Sequence, residues 1–414
     1  MDQFLKDQII NSIKYIPTNI VKSYFIKDLS EEKAIRKKHG FIRGACHVSD
    51  NHEQIKGANI EWVRTDIPFP YSKDGSINPK YTEAKEKCRR FHESGLKVMA
   101  ITAYPANCVD VGVDSRTKEG EEKLREISRF MIEDIQGYVD GLQITNEMGM
   151  PRFTVPYTMD EAIKFIGIQL EAMYPLRKDI IIGYNSAGPQ VDLHYGLKPY
   201  HKYCDYVGLD MYLGCFFSLP GFFFLFETMA RFLWAFTGKP ILMQEFGYMS
   251  EGKPKTKAEK KAILQGYGFE SEKEAKKDIV RFVDSLPEHF REHVKYVCEN
   301  KPELYTDFMF HGDMTNHLYK ELPAITVIPG CPHTPEGQAK FFRKVLKLFY
   351  KLDFICGAIV FNYTDYNKCA YCGQSDCPTE TRWGLVDVDG NPKPSYYAVK
   401  ELYGEFIEKD KSYK

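Results

Sequence analysis

Apolar positions along this chain follow two alternating patterns. Short, nearly unbroken apolar runs recur at Phe41–Cys46, Ile60–Arg64, Lys97–Ala103, Gly141–Asn146, Ile180–Asn185, Tyr206–Met211, Pro240–Gln244 and Gly357–Asn362. Between them, apolar residues return every three or four positions, as in Pro79–Ser94, Lys118–Gln136, Met159–Tyr174, Phe223–Phe236 and Pro335–Lys351. A last helical pattern, Ser395–Phe406, follows the eighth run. Strands that are apolar on both faces must be covered on both faces, so this β-then-α alternation predicts a parallel sheet with helices outside it. Eight repeats predict a closed (β/α)8 TIM barrel of the α/β class. The open doubly wound alternative lacks support, because no G-x-G-x-x-G follows the first run.

Two segments fall outside the repeat. Residues 1–39 form a charged amphipathic leader expected to pack across the bottom or side of a barrel spanning 40–414. The connection after the seventh run is far longer than an ordinary βα loop. Its helical patterns, Ala258–Gln265, Ser271–Ser285 and Glu288–Asn300, predict an inserted helical subdomain over 250–333, either a lid or a solvated decoration. The stretch Phe216–Phe236 is about long enough to span a bilayer, yet it contains Pro220, Gly221, Glu227 and Arg231. It reads as a loop and a buried helix rather than a transmembrane segment. A sharper reading makes Phe216–Phe226 a greasy lip for an apolar aglycone or for lipid.

Composition narrows the partners. The formal net charge is −1, which argues against nucleic acid or an anionic membrane surface as a bulk electrostatic partner. The 11 cysteines are an odd number, mostly lone residues in apolar runs, as reduced intracellular usage produces. The first residues contain no apolar signal-peptide core, so a cytoplasmic location is expected. The oligomeric state is not readable from the sequence.

In a barrel of this kind, chemistry collects at the C-terminal strand ends. The polar residues there are His47, Arg64, Tyr104, Asn146 with Glu147, Asn185, Asp210 with Tyr212, Glu245, and Asn362 with Tyr363 and Asp365. Two of them are glutamates at the tips of buried strands. One carboxyl in such a pair can be held protonated while the other stays ionised, which is the requirement for splitting a glycosidic bond.

Thr145-Asn146-Glu147, Gln244-Glu245-Phe246-Gly247 and Phe361-Asn362-Tyr363-Thr364-Asp365-Tyr366 resemble the motifs of clan A retaining glycoside hydrolases on strands four, seven and eight. The run from Trp383-Gly384-Leu385-Val386-Asp387 through Lys393-Pro394-Ser395-Tyr396-Tyr397 is similar to that family's approach to its last helix. The resemblance covers about residues 41–408. It implies a carbohydrate substrate, Glu147 as acid/base, Glu245 as nucleophile and no cofactor. Arg64 would keep Glu245 a carboxylate, Tyr212 would donate to it, and Asn146 would bind the sugar 2-hydroxyl. Arg64 could instead pair with Asp66 or Asp210, and Tyr212 could simply pack. His47, Tyr104 and Asn185 are divided between sugar contacts and structural hydrogen bonds. Where many clan members stack a tryptophan on the sugar, this chain has Phe361, so either Tyr363 or Trp383 supplies the platform or the bound sugar differs. Cys369-x2-Cys372-x4-Cys377, with Cys331 and His333 elsewhere, is a weak metal pattern, and unligated loop thiols are the favoured reading. The rivals carried forward are a transglycosidase using the same residues and a catalytically inactive sugar-binding barrel. A metal-dependent amidohydrolase fits poorly, since the strand tips lack its histidines.

Overall fold

The structure, a computed structural model, describes residues 14–215, 222–311, 314–322 and 327–411. Eight parallel strands close into a barrel in sequence order. They are β1 (Ile42–Cys46), β2 (Trp62–Asp66), β3 (Lys97–Ile101), β4 (Gly141–Ile144), β5 (Ile181–Ala187), β6 (Tyr206–Asp210), β7 (Ile241–Phe246) and β8 (Ile355–Val360). β8 pairs with β1 and closes the ring, so no sheet edge is left to template aggregation. The chain therefore has the (β/α)8 fold. Outward-facing Val63, Val98, Ile182 and Val207 pack beneath helices such as Met159–Met173 and Pro335–Lys351.

A few large side chains fill the ring: Trp62, Met99, Tyr206, Leu242 and Ile359. Glycines on the staves give them room. A Cβ at Gly141 would lie 2.5 Å from the Met99 side chain, and one at Gly208 would lie 2.0 Å from the Gln244 amide oxygen.

The bottom of the ring is closed by the helix Ser30–His39, whose Ile35 joins the interior cluster. The neighbouring Arg36 is buried and donates to the Ile355 carbonyl from Nη2 at 2.8 Å and from Nε at 3.3 Å. Its Nη2 also reaches the Tyr350 and Leu352 carbonyls at 3.3 and 3.4 Å. This one guanidinium serves the carbonyls at the entry to β8.

Between β7 and β8 lie the helices Lys257–Gly266, Glu272–Lys277, Ile279–Ser285, Glu288–Val297, Pro302–Phe310 and Met314–Tyr319. They have their own core, including Phe282, Phe290 and Met309, which also takes in Cys369, Cys372 and Cys377 from the loop after β8. The single helix expected over Ser271–Ser285 is two helices, because Asp278 leaves helical geometry at φ −123° and ψ 57°. Among the described residues no helix is long and apolar enough to cross a membrane. Residues 216–221 of the expected apolar lip lie outside the described residues, while Phe222 and Phe224 are exposed and stack on each other.

Arg36→Ala should destabilise the fold by about 2 kcal/mol, since it orphans buried carbonyls at the barrel floor. Urea denaturation followed by circular dichroism measures it, and an unchanged midpoint would remove Arg36 from that role.

Candidate active site

Two local departures from regular backbone aim the glutamates. In β7 the register with β6 runs Leu209 opposite Met243 and then Asp210 opposite Glu245, so one residue is skipped. Regular alternation would send Glu245 outward after the inward Gln244. The bulge turns it to the mouth of the barrel instead. At the end of β4, Thr145 and Glu147 have φ of 57° and 47°, left-handed values that a β-branched residue such as Thr145 rarely adopts. The Thr102 hydroxyl accepts from the Thr145 N–H at 3.0 Å, and the Asn185 amide oxygen accepts from the Glu147 N–H at 2.8 Å. These contacts hold the unusual turn in place.

Glu147, Asp210 and Glu245 converge, each offering a carboxylate oxygen within 4.8 Å of the other two. All three are buried, but their partners differ. Glu245 takes Arg64 Nη1 on Oε1 at 2.5 Å and the Tyr212 hydroxyl on Oε2. Arg64 lies inside the barrel mouth and also donates from Nε to Gln143 at 2.7 Å and from Nη2 to Asn146 at 2.5 Å. The Arg64 ion pair is therefore with Glu245, neither with Asp66 nor with Asp210 as the structural alternatives had it. Glu147 pairs with the half-exposed Arg152, whose Nη2 is 3.6 Å from Oε2.

Burial pushes the Glu147 carboxyl up to about 7, and the negative charge of Glu245 adds to the rise. Arg152 and Arg64 oppose this without overcoming it. Burial and the two glutamates also raise Asp210 well above the usual carboxylate range. Asp210 accepts from Asn185 Nδ2 at 2.5 Å on Oδ2, while its buried Oδ1 has no partner among the described residues. A neutral, protonated Asp210 fits that setting. The three oxygens are close enough to share a cation, although Arg64 already compensates charge there.

Asn146 shows how the amides are oriented. Its Oδ1 accepts from Arg64, from Gln143 Nε2 at 3.0 Å and from Asn185 Nδ2 at 2.7 Å. With the oxygen saturated, Nδ2 is the end that can face a ligand, and it has no partner among the described residues. Asn185 is thereby a buried scaffold residue that holds Asn146, Asp210 and the Glu147 N–H.

The remaining candidates divide. His47 keeps an exposed edge at the mouth, and desolvation by the surrounding protein lowers its pKa. Its ring stands edge-on to Phe361 at 5.4 Å, and Phe361 stands edge-on to Tyr212 at 5.4 Å. Trp383 is fully buried behind both, 5.3 Å from Tyr212 and 5.6 Å from Phe361. It supports that aromatic group and presents no face to solvent. Tyr363 is not brought to the site: it is fully buried and donates its hydroxyl to Gln54 at 3.1 Å. Tyr104 lies at the rim, stacked on Phe153 at 5.1 Å. Sequence reasoning missed Arg152, Phe153, Gln143 and the carboxyl role of Asp210. Only Asp210, at a strand tip, carried a signal.

The loop cysteines do come together, but with an unexpected partner. His317, on the helix Met314–Tyr319, sits among Cys369, Cys372 and Cys377, whereas Cys331 and His333 lie elsewhere. A separate cavity of about 490 Å³ lined by Phe69, Tyr71 and Phe130 contains none of the three carboxylates.

No protein-family model matches the chain, and no curated protein matches it. Solved structures do. The GH53 catalytic domain of Ignisphaera aggregans superposes with a TM-score of 0.56 at 15% identity, over 88% of this chain and 96% of that one. A family 39 glycoside hydrolase from Bacteroides cellulosilyticus WH2 gives 0.53 at 12% identity, over 91% of this chain and 65% of that one. At such identities the likeness is one of fold: this chain is built on the same (β/α)8 barrel as these glycoside hydrolases.

Proposed function

We propose that the protein is a retaining glycoside hydrolase acting on a β-linked O-glycoside. The observation that carries the reading is the pair Glu147 and Glu245, with carboxylate oxygens within 4.8 Å and unlike surroundings. Retaining enzymes hold their carboxyl groups ~5–5.5 Å apart, whereas inverting enzymes separate them by ~6.5–9.5 Å to admit a water. The shared barrel with known glycoside hydrolases supports the same class.

In the first step a Glu245 oxygen attacks the anomeric carbon and the bond to the aglycone oxygen breaks. Glu147 gives its proton to that leaving oxygen. In the second step water attacks the anomeric carbon, its proton passes to Glu147, and the glycosyl–Glu245 bond breaks. Arg64 and Tyr212 balance the charge on Glu245 in the resting and released states. Asn146 Nδ2 is the donor for the sugar 2-hydroxyl, with His47, Phe361 and Tyr104 as further contacts. The helices between β7 and β8 are proposed as a specificity element. The exposed pair Phe222 and Phe224 is proposed to favour an apolar aglycone. A cytoplasmic location rests on the 11 buried cysteines, all of them free thiols.

A panel of nitrophenyl glycosides and oligosaccharides should give turnover of at least one β-glycoside. Glu245→Ala should abolish that turnover, with partial rescue by azide. Inactivity of the wild type across the panel would favour a sugar-binding barrel. Glu147→Ala should spare the first step for good leaving groups, and equal loss for poor and good ones would exclude it as the proton donor.

The pH profile gives a third expectation. Glu147 must hold a proton to act as acid, so kcat/KM should fall as pH rises through about 7. Arg152 lowers the Glu147 pKa, so Arg152→Gln should move the alkaline limb to higher pH. A limb that stays in place or moves down would separate it from Glu147.

A further inference from the structure

We propose that His317, Cys369, Cys372 and Cys377 form a structural zinc site that clamps the helices between β7 and β8 to the loop after β8. The four candidate ligand atoms, His317 Nδ1 and three Sγ, lie within 4.8 Å of one another and all four residues are buried. Nδ1 is 3.3 Å from Cys369 Sγ and 3.4 Å from Cys377 Sγ. A tetrahedron with Zn–S of about 2.3 Å and Zn–N of about 2.0–2.1 Å has N···S edges of about 3.5 Å. The site thus has nearly the spacing zinc requires.

Two further observations point the same way. The N–H groups of Tyr371 and Cys372 both aim at Cys369 Sγ at 3.4 Å, which holds that sulfur in place beside His317 Nδ1. The turn that provides them ends at Gly373, with φ of 70° and a position where a Cβ would meet His289 at 2.8 Å. In addition, no disulfide joins any of the three thiols. Four ligands from the protein leave no open coordination position, so the metal has a structural and not a catalytic role. Binding displaces the thiol protons to solvent, and the imidazole binds in its neutral form.

The clamp joins segments distant in sequence and is linked to the proposed acid/base through Tyr371 and Arg152. Lys320 pairs with Asp376 at 2.8 Å, and His289 bonds the Ala370 carbonyl at 2.8 Å. Tyr371, within the Cys-x2-Cys turn, packs on His317 at 4.8 Å and accepts a hydrogen bond from Arg152 Nη1. The other end of Arg152 faces Glu147. The metal is therefore placed to fix the loop that positions Arg152.

The test uses the full chain, expressed with zinc in the medium and purified without chelator. Mass spectrometry of the metal should find about one zinc per chain in the wild type and in Cys331→Ser, whose thiol lies outside the cluster. Cys372→Ser should lose at least four fifths of it, whereas His317→Cys should retain it. Because Cys372→Ser can fail by misfolding, a mercurial titration of the wild type provides a second readout, with one equivalent of zinc released as thiols are blocked. Removing zinc should speed tryptic cleavage after Lys368 at least tenfold. A wild type that holds no zinc after dialysis against it, holds iron instead, or keeps its zinc in Cys372→Ser would overturn the site. An unchanged cleavage rate would overturn the clamp. None of these readouts depends on glycosidase activity.

Discussion

The Arg64–Glu245 ion pair is the contact on which the barrel mouth is organised. Both side chains lie below the rim, where desolvating two charges costs several kcal/mol and attraction alone rarely compensates. Arg64 meets that cost by giving its other N–H groups to Gln143 and Asn146, so few donors are left unsatisfied. The pair also sets the surrounding groups. Arg64 saturates the Asn146 oxygen and so turns its amide nitrogen outward. The negative charge retained on Glu245 then raises Glu147 and Asp210.

That arrangement gives two buried carboxyl groups of the same type unlike counter-charges: a buried guanidinium at 2.5 Å for Glu245, and a half-exposed guanidinium at 3.6 Å for Glu147. Solvent screening weakens the second contact much more than the first.

Much of this was legible in the sequence, for definite reasons. Strand positions are apolar on both faces, so all eight runs stood out against the helical periods, and the polar residues ending them marked the mouth. The roles of Gln143 and Asn185 were harder to read because they lie within the network rather than at its surface. Arg152 belongs to the short helix Pro151–Thr154, which has no periodicity to detect. Tyr363 was misplaced because β8 ends at Val360, so the residue lies three positions past the strand, where its direction is no longer set by the strand. His317 escaped notice because it stands 52 residues before Cys369, a separation no local motif spans. The broken helix at Asp278 illustrates the usual weakness of periodicity, which continues across an interruption of one residue.

The glycine-bearing staves have a further consequence. Gly141 and Gly208 leave no space that a methyl group could occupy without displacing Met99 or Gln244. Substitutions at these two glycines therefore fail mainly by overcrowding, so the centre of the ring has little freedom to vary there. Diversification of ligand preference would instead fall on the connecting segments above the ring, where added length displaces nothing.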